Sequence, residues 1–136
     1  TYRNLEHYGN PEKILSDVEK QIHRRILLQT KTLILTPRYL VELSDDVCAI
    51  IPLPEVLWIY DHAAMRRTIK GRQLSYTIHV VTMKGEEYTL TGKSHREVSA
   101  IYHELNTRYP NFFFGYSKEH QEMVQYVLHE MKNEKA

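Results

Sequence analysis

Thr91-Gly92-Lys93-Ser94 carries the most familiar chemistry in this chain. A phosphate-binding loop puts Gly-Lys-Ser between a strand and a helix, so that loop amides and the helix dipole hold phosphate oxygens. The full pattern needs a glycine at position 87, and that residue is Glu87. Residues 86–91 also alternate as a strand does, and no parallel strand–helix–strand setting surrounds them. The expectation is a glycine turn followed by a helix cap.

Eight histidines raise the question of a metal: His7, His23, His62, His79, His95, His103, His120 and His129. None stands four residues before another, as a helical ligand pair would, and none opens a His-Glu-x-x-His motif. One cysteine, Cys48, leaves no thiolate set for zinc. The residues alone therefore predict no metal ligand and no cofactor. Only a meeting in three dimensions, with His62 and His79 joined by a distant carboxylate, would make a metal or catalytic site.

The acids and nucleophiles are equally bare. Asp45-Asp46 reads as a turn. In Glu86-Glu87, and again in Asp61-His62, neighbours on a strand point to opposite faces and cannot share a substrate. Gly115-Tyr116-Ser117 lacks the second glycine of a nucleophile elbow. Cys48 sits in an apolar run, the setting of an inert buried thiol. No constellation assembles, so no catalytic residue is assigned and the chain is expected not to be an enzyme.

Two features remain as candidate contact sites. Arg66, Arg67, Lys70 and Arg72 put four cations into seven residues, with no acid between His62 and Thr82. Such a hairpin tip fits an anionic lipid surface, at roughly 1 kcal/mol per basic residue near the headgroups. The plainer alternative is a solvated tip whose charges deter edge-to-edge pairing. Phe112-Phe113-Phe114 cannot all point inward from an extended connection, and an exposed Phe there would mark a partner contact. Trp58 and Tyr60 share one strand face, with Leu57 and Ile59 on the other. A strand apolar on both faces is a central one, so these aromatics are expected in a core.

The elements that must position these groups follow from periodicity. Asn10-Pro11-Glu12 starts a helix, with a capping side chain, proline in the first turn and an acid at the positive end. Ile14, Leu15, Val18 and Ile22 give it one apolar face to about Leu28. From Lys31 the pattern becomes β-like: 32–36, 39–43, 47–51, about 55–65, 74–80 and 86–91, with a turn at Ser44-Asp45-Asp46 and breaks at Pro52 and Pro54. Short connections predict antiparallel neighbours. Ser94-His95-Arg96-Glu97 is a capping box that opens a helix along Val98, Ile101, Tyr102, Leu105 and Tyr109. Pro110 stops it. Ser117 caps a last helix with Met123, Val124, Val127, Leu128 and Met131 as its expected buried face, fraying from Lys132.

The chain has 136 residues, enough for one domain, and its 42% apolar content is enough for a core. Eighteen basic against seventeen acidic residues leave a net charge of +1, so no nucleic-acid partner is expected. No run approaches the ~20 apolar residues of a membrane span, and no signal peptide is recognisable. A chain opening on Thr1 is expected to be a piece of a longer protein, with any membrane segment lying outside it.

A set of motifs in order carries a resemblance. These are Leu35-Thr36-Pro37, Ile50-Ile51-Pro52-Leu53-Pro54-Glu55-Val56-Leu57-Trp58-Ile59-Tyr60, Met83-Lys84-Gly85-Glu86-Glu87-Tyr88, and Tyr109-Pro110-Asn111-Phe112-Phe113-Phe114-Gly115-Tyr116-Ser117. The set resembles a family of uncharacterised proteins of Firmicutes, of the DUF6709 type, from about Tyr8 to Tyr126. The strand-rich middle is similar to a bacterial pleckstrin-homology-like domain, a curved antiparallel sheet or partial barrel closed by a helix. The first and last helices are additions to that pattern. The resemblance implies no activity and no catalytic residues. It does imply frequent attachment to transmembrane helices.

The expectation is a single α+β domain, residues 1–136, with an antiparallel sheet of about six strands, one helix before it and two after. Its expected role is a non-enzymatic interaction module, the cytosolic part of a bacterial membrane protein, that binds a protein partner or itself. Peripheral binding of anionic lipid through Arg66, Arg67, Lys70 and Arg72 is the alternative, and a cryptic enzyme or metal site the third.

Overall fold

The computed structural model describes residues 3–43 and 48–134. The expected turn at Ser44, Asp45 and Asp46 lies outside them, as does the side chain of Cys48. The α+β class stands: one leading helix, strands, then two helices. Among the described residues the strands number eight rather than about six, and they form two four-stranded sheets. Contacts divide the chain into two compact units, Thr1–Glu55 and Val56–Ala136.

In the first unit a short 3-10 helix, Arg3–His7, precedes α1, Pro11–Arg24. The Asn10 side chain accepts the amides of Glu12 and Lys13 at 2.9 and 3.4 Å, satisfying donors that the first turn leaves open. The helix ends at Arg24 rather than near Leu28. Arg25 is extended, with φ −161° and ψ 120°, and the Leu27 amide donates to Leu35 O at 2.8 Å. Sheet pairing thus takes over residues that helical spacing alone would have continued. Strands β1 (Leu28–Gln29), β2 (Leu33–Leu35), β3 (Tyr39–Leu43) and β4 (Cys48–Pro52) form an antiparallel sheet in chain order.

The apolar face of α1 packs as its spacing predicts. Val18, with Ile14, Leu15 and Ile22, meets Tyr39, Val41 and Ile50, and Leu5 completes the cluster. Polar side chains lock the β2–β3 turn to the helix. Gln21 Oε1 accepts from Thr36 Oγ1 at 2.9 Å and from the Arg38 amide at 3.0 Å, while Tyr39 OH donates to Asp17 at 2.6 Å.

The second unit begins with a meander of β5 (Val56–Thr68), β6 (Gly71–Thr82) and β7 (Glu87–Lys93). Helix α2 (His95–Arg108), β8 (Phe113–Phe114) and α3 (Lys118–Glu134) follow. The sheet order is β7-β6-β5-β8, so β5 is central, as its two apolar faces require. The stretch expected as a plain connection, Phe113–Phe114, pairs parallel to β5 at Trp58 and Ile59, an exception to the antiparallel rule. α2 can return the chain along that direction, as parallel neighbours need.

Helix α2 opens on the capping box and buries Val98, Ile101 and Leu105. In α3 the Ser117 hydroxyl accepts the His120 amide at 3.0 Å. Val124 and Leu128, one turn apart, join Trp58 and Val81 in a core cluster. Met123, expected inside, is 50% exposed, because Val124 rather than its neighbour takes the inward position. The helix continues through Glu134, past the expected fraying point. Among the described residues no helix is long and apolar enough to cross a membrane.

Candidate functional site

The four clustered cations all lie at the far end of the β5–β6 hairpin. Strand β7 pairs with β6 only from Tyr76 onward, and β8 touches β5 only at Trp58 and Ile59. Residues 63–75 therefore form a two-stranded arm with no further strand paired to it among the described residues. Its register sets Met65 opposite Leu74, Arg66 opposite Gln73, Arg67 opposite Arg72 and Thr68 opposite Gly71. Ile69 and Lys70 make the turn. Neither has positive φ, and the left-handed conformation falls on Gly71 at φ 117°. The Thr68 hydroxyl closes the turn by donating to Gly71 O at 2.9 Å.

Strand parity sorts the arm into two faces. Met65, Leu74, Arg67 and Arg72 share one, and Arg66 and Gln73 share the other. Ile69 at the tip is fully exposed, and Met65 and Leu74 are 61% and 53% exposed. Apolar side chains thus stand in water beside the cations. Arg67 faces Arg72 directly, a like-charge pair that costs stability in a ribbon. Among the described residues none of the four cations has an ion-pair partner. Sequence reasoning found the charges but missed the three apolar side chains. Their signal was legible in the alternation at 65, 67, 72 and 74.

An open cleft of about 740 Å³ lies beside the arm, lined by Arg66, Lys70, Leu74, Gly92, Ser94 and Glu97 among others. The Gly-Lys-Ser stretch thus reaches a basic surface, yet it is not a phosphate loop. Gly92, at φ 69°, sits where the β6–β7 register shifts. Lys93 is buried. The Ser94 hydroxyl and amide are both used in the capping box, with the Glu97 amide at 3.1 Å and the Glu97 carboxylate at 3.0 Å. The glycine-turn-and-cap expectation holds.

The three phenylalanines are half-buried and engaged within their own unit. Phe112 stacks on Tyr109 with ring centroids 5.0 Å apart, Phe113 packs by Trp58 and His120, and Phe114 lies against Tyr102. The exposed aromatic beside them is Tyr116, stacked on Trp58. Trp58 is in the core as expected, its indole N–H donating to Gly115 O at 2.9 Å.

Asp61 and His62 part to opposite faces as strand geometry demands. Asp61 accepts from Tyr102 OH at 2.5 Å, and burial together with that bond raises the Tyr102 phenol well above its ordinary range. On the other face His62 meets His79, with Nδ1 and Nε2 joined at 2.9 Å. Tyr60 stacks on His79 at 4.6 Å with an interplanar angle of 13°. His79 Nδ1 is buried, has no hydrogen-bond partner among the described residues, and points toward Glu87 Oε1 at 3.9 Å. Burial, with help from the His62 charge, lowers the His79 pKa against the opposing pull of Glu87. That contact is therefore a neutral imidazole near a carboxylate at neutral pH, not an ion pair. Tyr60 is raised, by burial first and then by Glu87. Among the described residues no group of three or more His, Cys, Asp or Glu converges on one point.

These features define an α+β protein with a projecting basic and apolar β-ribbon. The chain belongs to the DUF6709 family, a domain of unknown function, which it matches over residues 10–124. No curated protein and no solved structure matches it.

Proposed function

We propose that this chain is a non-enzymatic interaction module that docks on an anionic membrane surface through the β5–β6 arm. One observation carries the reading: Ile69, Met65 and Leu74 are exposed on an unflanked ribbon among Arg66, Arg67, Lys70 and Arg72. Cations alone need only water, and exposed apolar side chains alone invite aggregation. Together they match an interface with phosphates outside and hydrocarbon beneath. An anionic leaflet also screens the Arg67–Arg72 repulsion that the free arm bears. A cytosolic leaflet with anionic headgroups is the surface that such a basic segment suits, and the reading puts the module there. The order of elements, a four-strand meander, a three-strand meander and then a helix, supports the pleckstrin-homology-like reading of the middle of the chain.

Co-sedimentation with vesicles tests this. Binding to vesicles rich in phosphatidylserine, with none to neutral phosphatidylcholine, is expected. Reversal of the four cations to Glu should abolish it, and Ile69→Ser should weaken it by several-fold. Equal binding to neutral vesicles, or no binding at low salt, overturns the proposal.

A second reading, addition of a partner's strand or of a second copy, is favoured by the position of β7 at a sheet edge. A concentration-dependent dimer in sedimentation, lost when a proline replaces Thr89, would support it. A monomer at all concentrations would sink the self-association form.

A further inference from the structure

We propose that His62 and His79 form a two-imidazole site for a divalent copper-type ion on the sheet face of the second unit. The evidence is the nitrogen pair. His62 Nδ1 and His79 Nε2 are 2.9 Å apart on adjacent strands of one sheet, joined by an N–H···N hydrogen bond whose proton moves to the far nitrogen of its ring when an ion takes its place. Metal–imidazole bonds are about 2.0–2.1 Å, so nitrogens at that separation subtend about 90° at a shared ion. A tetrahedral ion would need them about 3.3 Å apart. A right angle is the cis angle of a tetragonal site, a geometry that Cu2+ and Ni2+ favour.

The surroundings fit ligation. Tyr60 stacks on His79 and holds its ring plane. When Nε2 binds an ion, the ring proton must sit on Nδ1. That atom is buried without a partner among the described residues and lies 3.9 Å from the Glu87 carboxylate. Closing that gap completes a carboxylate–histidine–metal triad, the arrangement that fixes a ligand's tautomer and raises its basicity. Glu87 is in turn touched by Tyr60 OH at 3.4 Å. His62 is exposed and its ring can turn to aim its lone pair at the shared point. Two protein nitrogens leave the other positions of the ion to water, which makes the site open to an exchangeable ligand.

The test is Cu2+ titration of the full chain, without a histidine tag, followed by isothermal calorimetry and by electron paramagnetic resonance. One ion per chain with hyperfine splitting from two imidazole nitrogens is expected. His62→Ala and His79→Phe, the latter keeping a ring against Tyr60, should each weaken binding at least tenfold. Glu87→Gln, which removes a positioning group, should weaken it by about tenfold while both nitrogens remain in the spectrum. His103→Ala and His129→Ala should leave binding unchanged. Circular dichroism on each variant separates loss of the site from loss of the fold. Undiminished binding in the His62→Ala, His79→Phe double variant, or a spectrum with fewer than two nitrogens, overturns the proposal.

Discussion

Tyr39 shows how a single residue ties local chemistry to stability. Its hydroxyl donates to Asp17 from a position that is 6% exposed. Burial first, then the bond to Asp17 and its charge, push the Tyr39 pKa from 10.0 up to about 12, against the opposing charge of Arg38. The fold favours the neutral phenol, so the unfolded chain gives up this proton first as pH rises. The stabilisation is whole below pH 10 and is lost between pH 10 and about 12. Urea midpoints should hold from pH 7 to 9 and drop above 10, with a shallower drop for Tyr39→Phe. Identical slopes for both proteins would show that this phenol is not responsible. Ser94→Ala removes half of the capping box and should cost about 1 kcal/mol in urea unfolding. Both caps were legible because Asn10 and Ser94 act within their own turn. The Tyr39–Asp17 bond spans 22 residues, and no local pattern announces it.

At the scale of elements, the arm's turn depends on Gly71. Nothing lies within 4 Å of a Cβ added there, but φ 117° strains any L side chain. Gly71→Ala should therefore cost about 1 kcal/mol by conformation alone. The arm is an unflanked ribbon, so the loss should appear as faster amide exchange in 63–75 with little change elsewhere. Uniformly faster exchange across β5 and β6 would mean that the arm is coupled to the whole sheet. The hairpin itself was readable from two β-rich runs around Lys70-Gly71. Its extent beyond the sheet was not, because which residue of β6 meets the end of β7 depends on the register shift at Gly92. The same holds for β8: Phe113–Phe114 reads as a connection until Trp58 and Ile59 offer it backbone partners. Helix α1 ends early for a similar reason, since β2 claims the residues after Arg25.

At the scale of the whole molecule, a net charge of +1 conceals a strongly basic arm. Docking through that arm should be sensitive to salt. Raising ionic strength from about 0.1 to about 1 M shortens the screening length from about 10 to about 3 Å. The vesicle-bound fraction should fall steeply over that range for the native chain. Ile69→Ser should lower binding throughout while keeping the same salt slope. A native chain indifferent to salt would place the attachment in apolar contacts alone. The sequence by itself determined the α+β class, the helix caps, the central place of β5 and the family, because periodicity, capping and turn chemistry act over a few residues. It also located the four cations, since charge is a property of composition. Tertiary structure alone decided that Arg67 stands opposite Arg72 and Met65 opposite Leu74, and that His62 meets His79. Both depend on which residues of distant segments stand opposite each other, and register is chosen by the packing of a whole sheet rather than by any one strand.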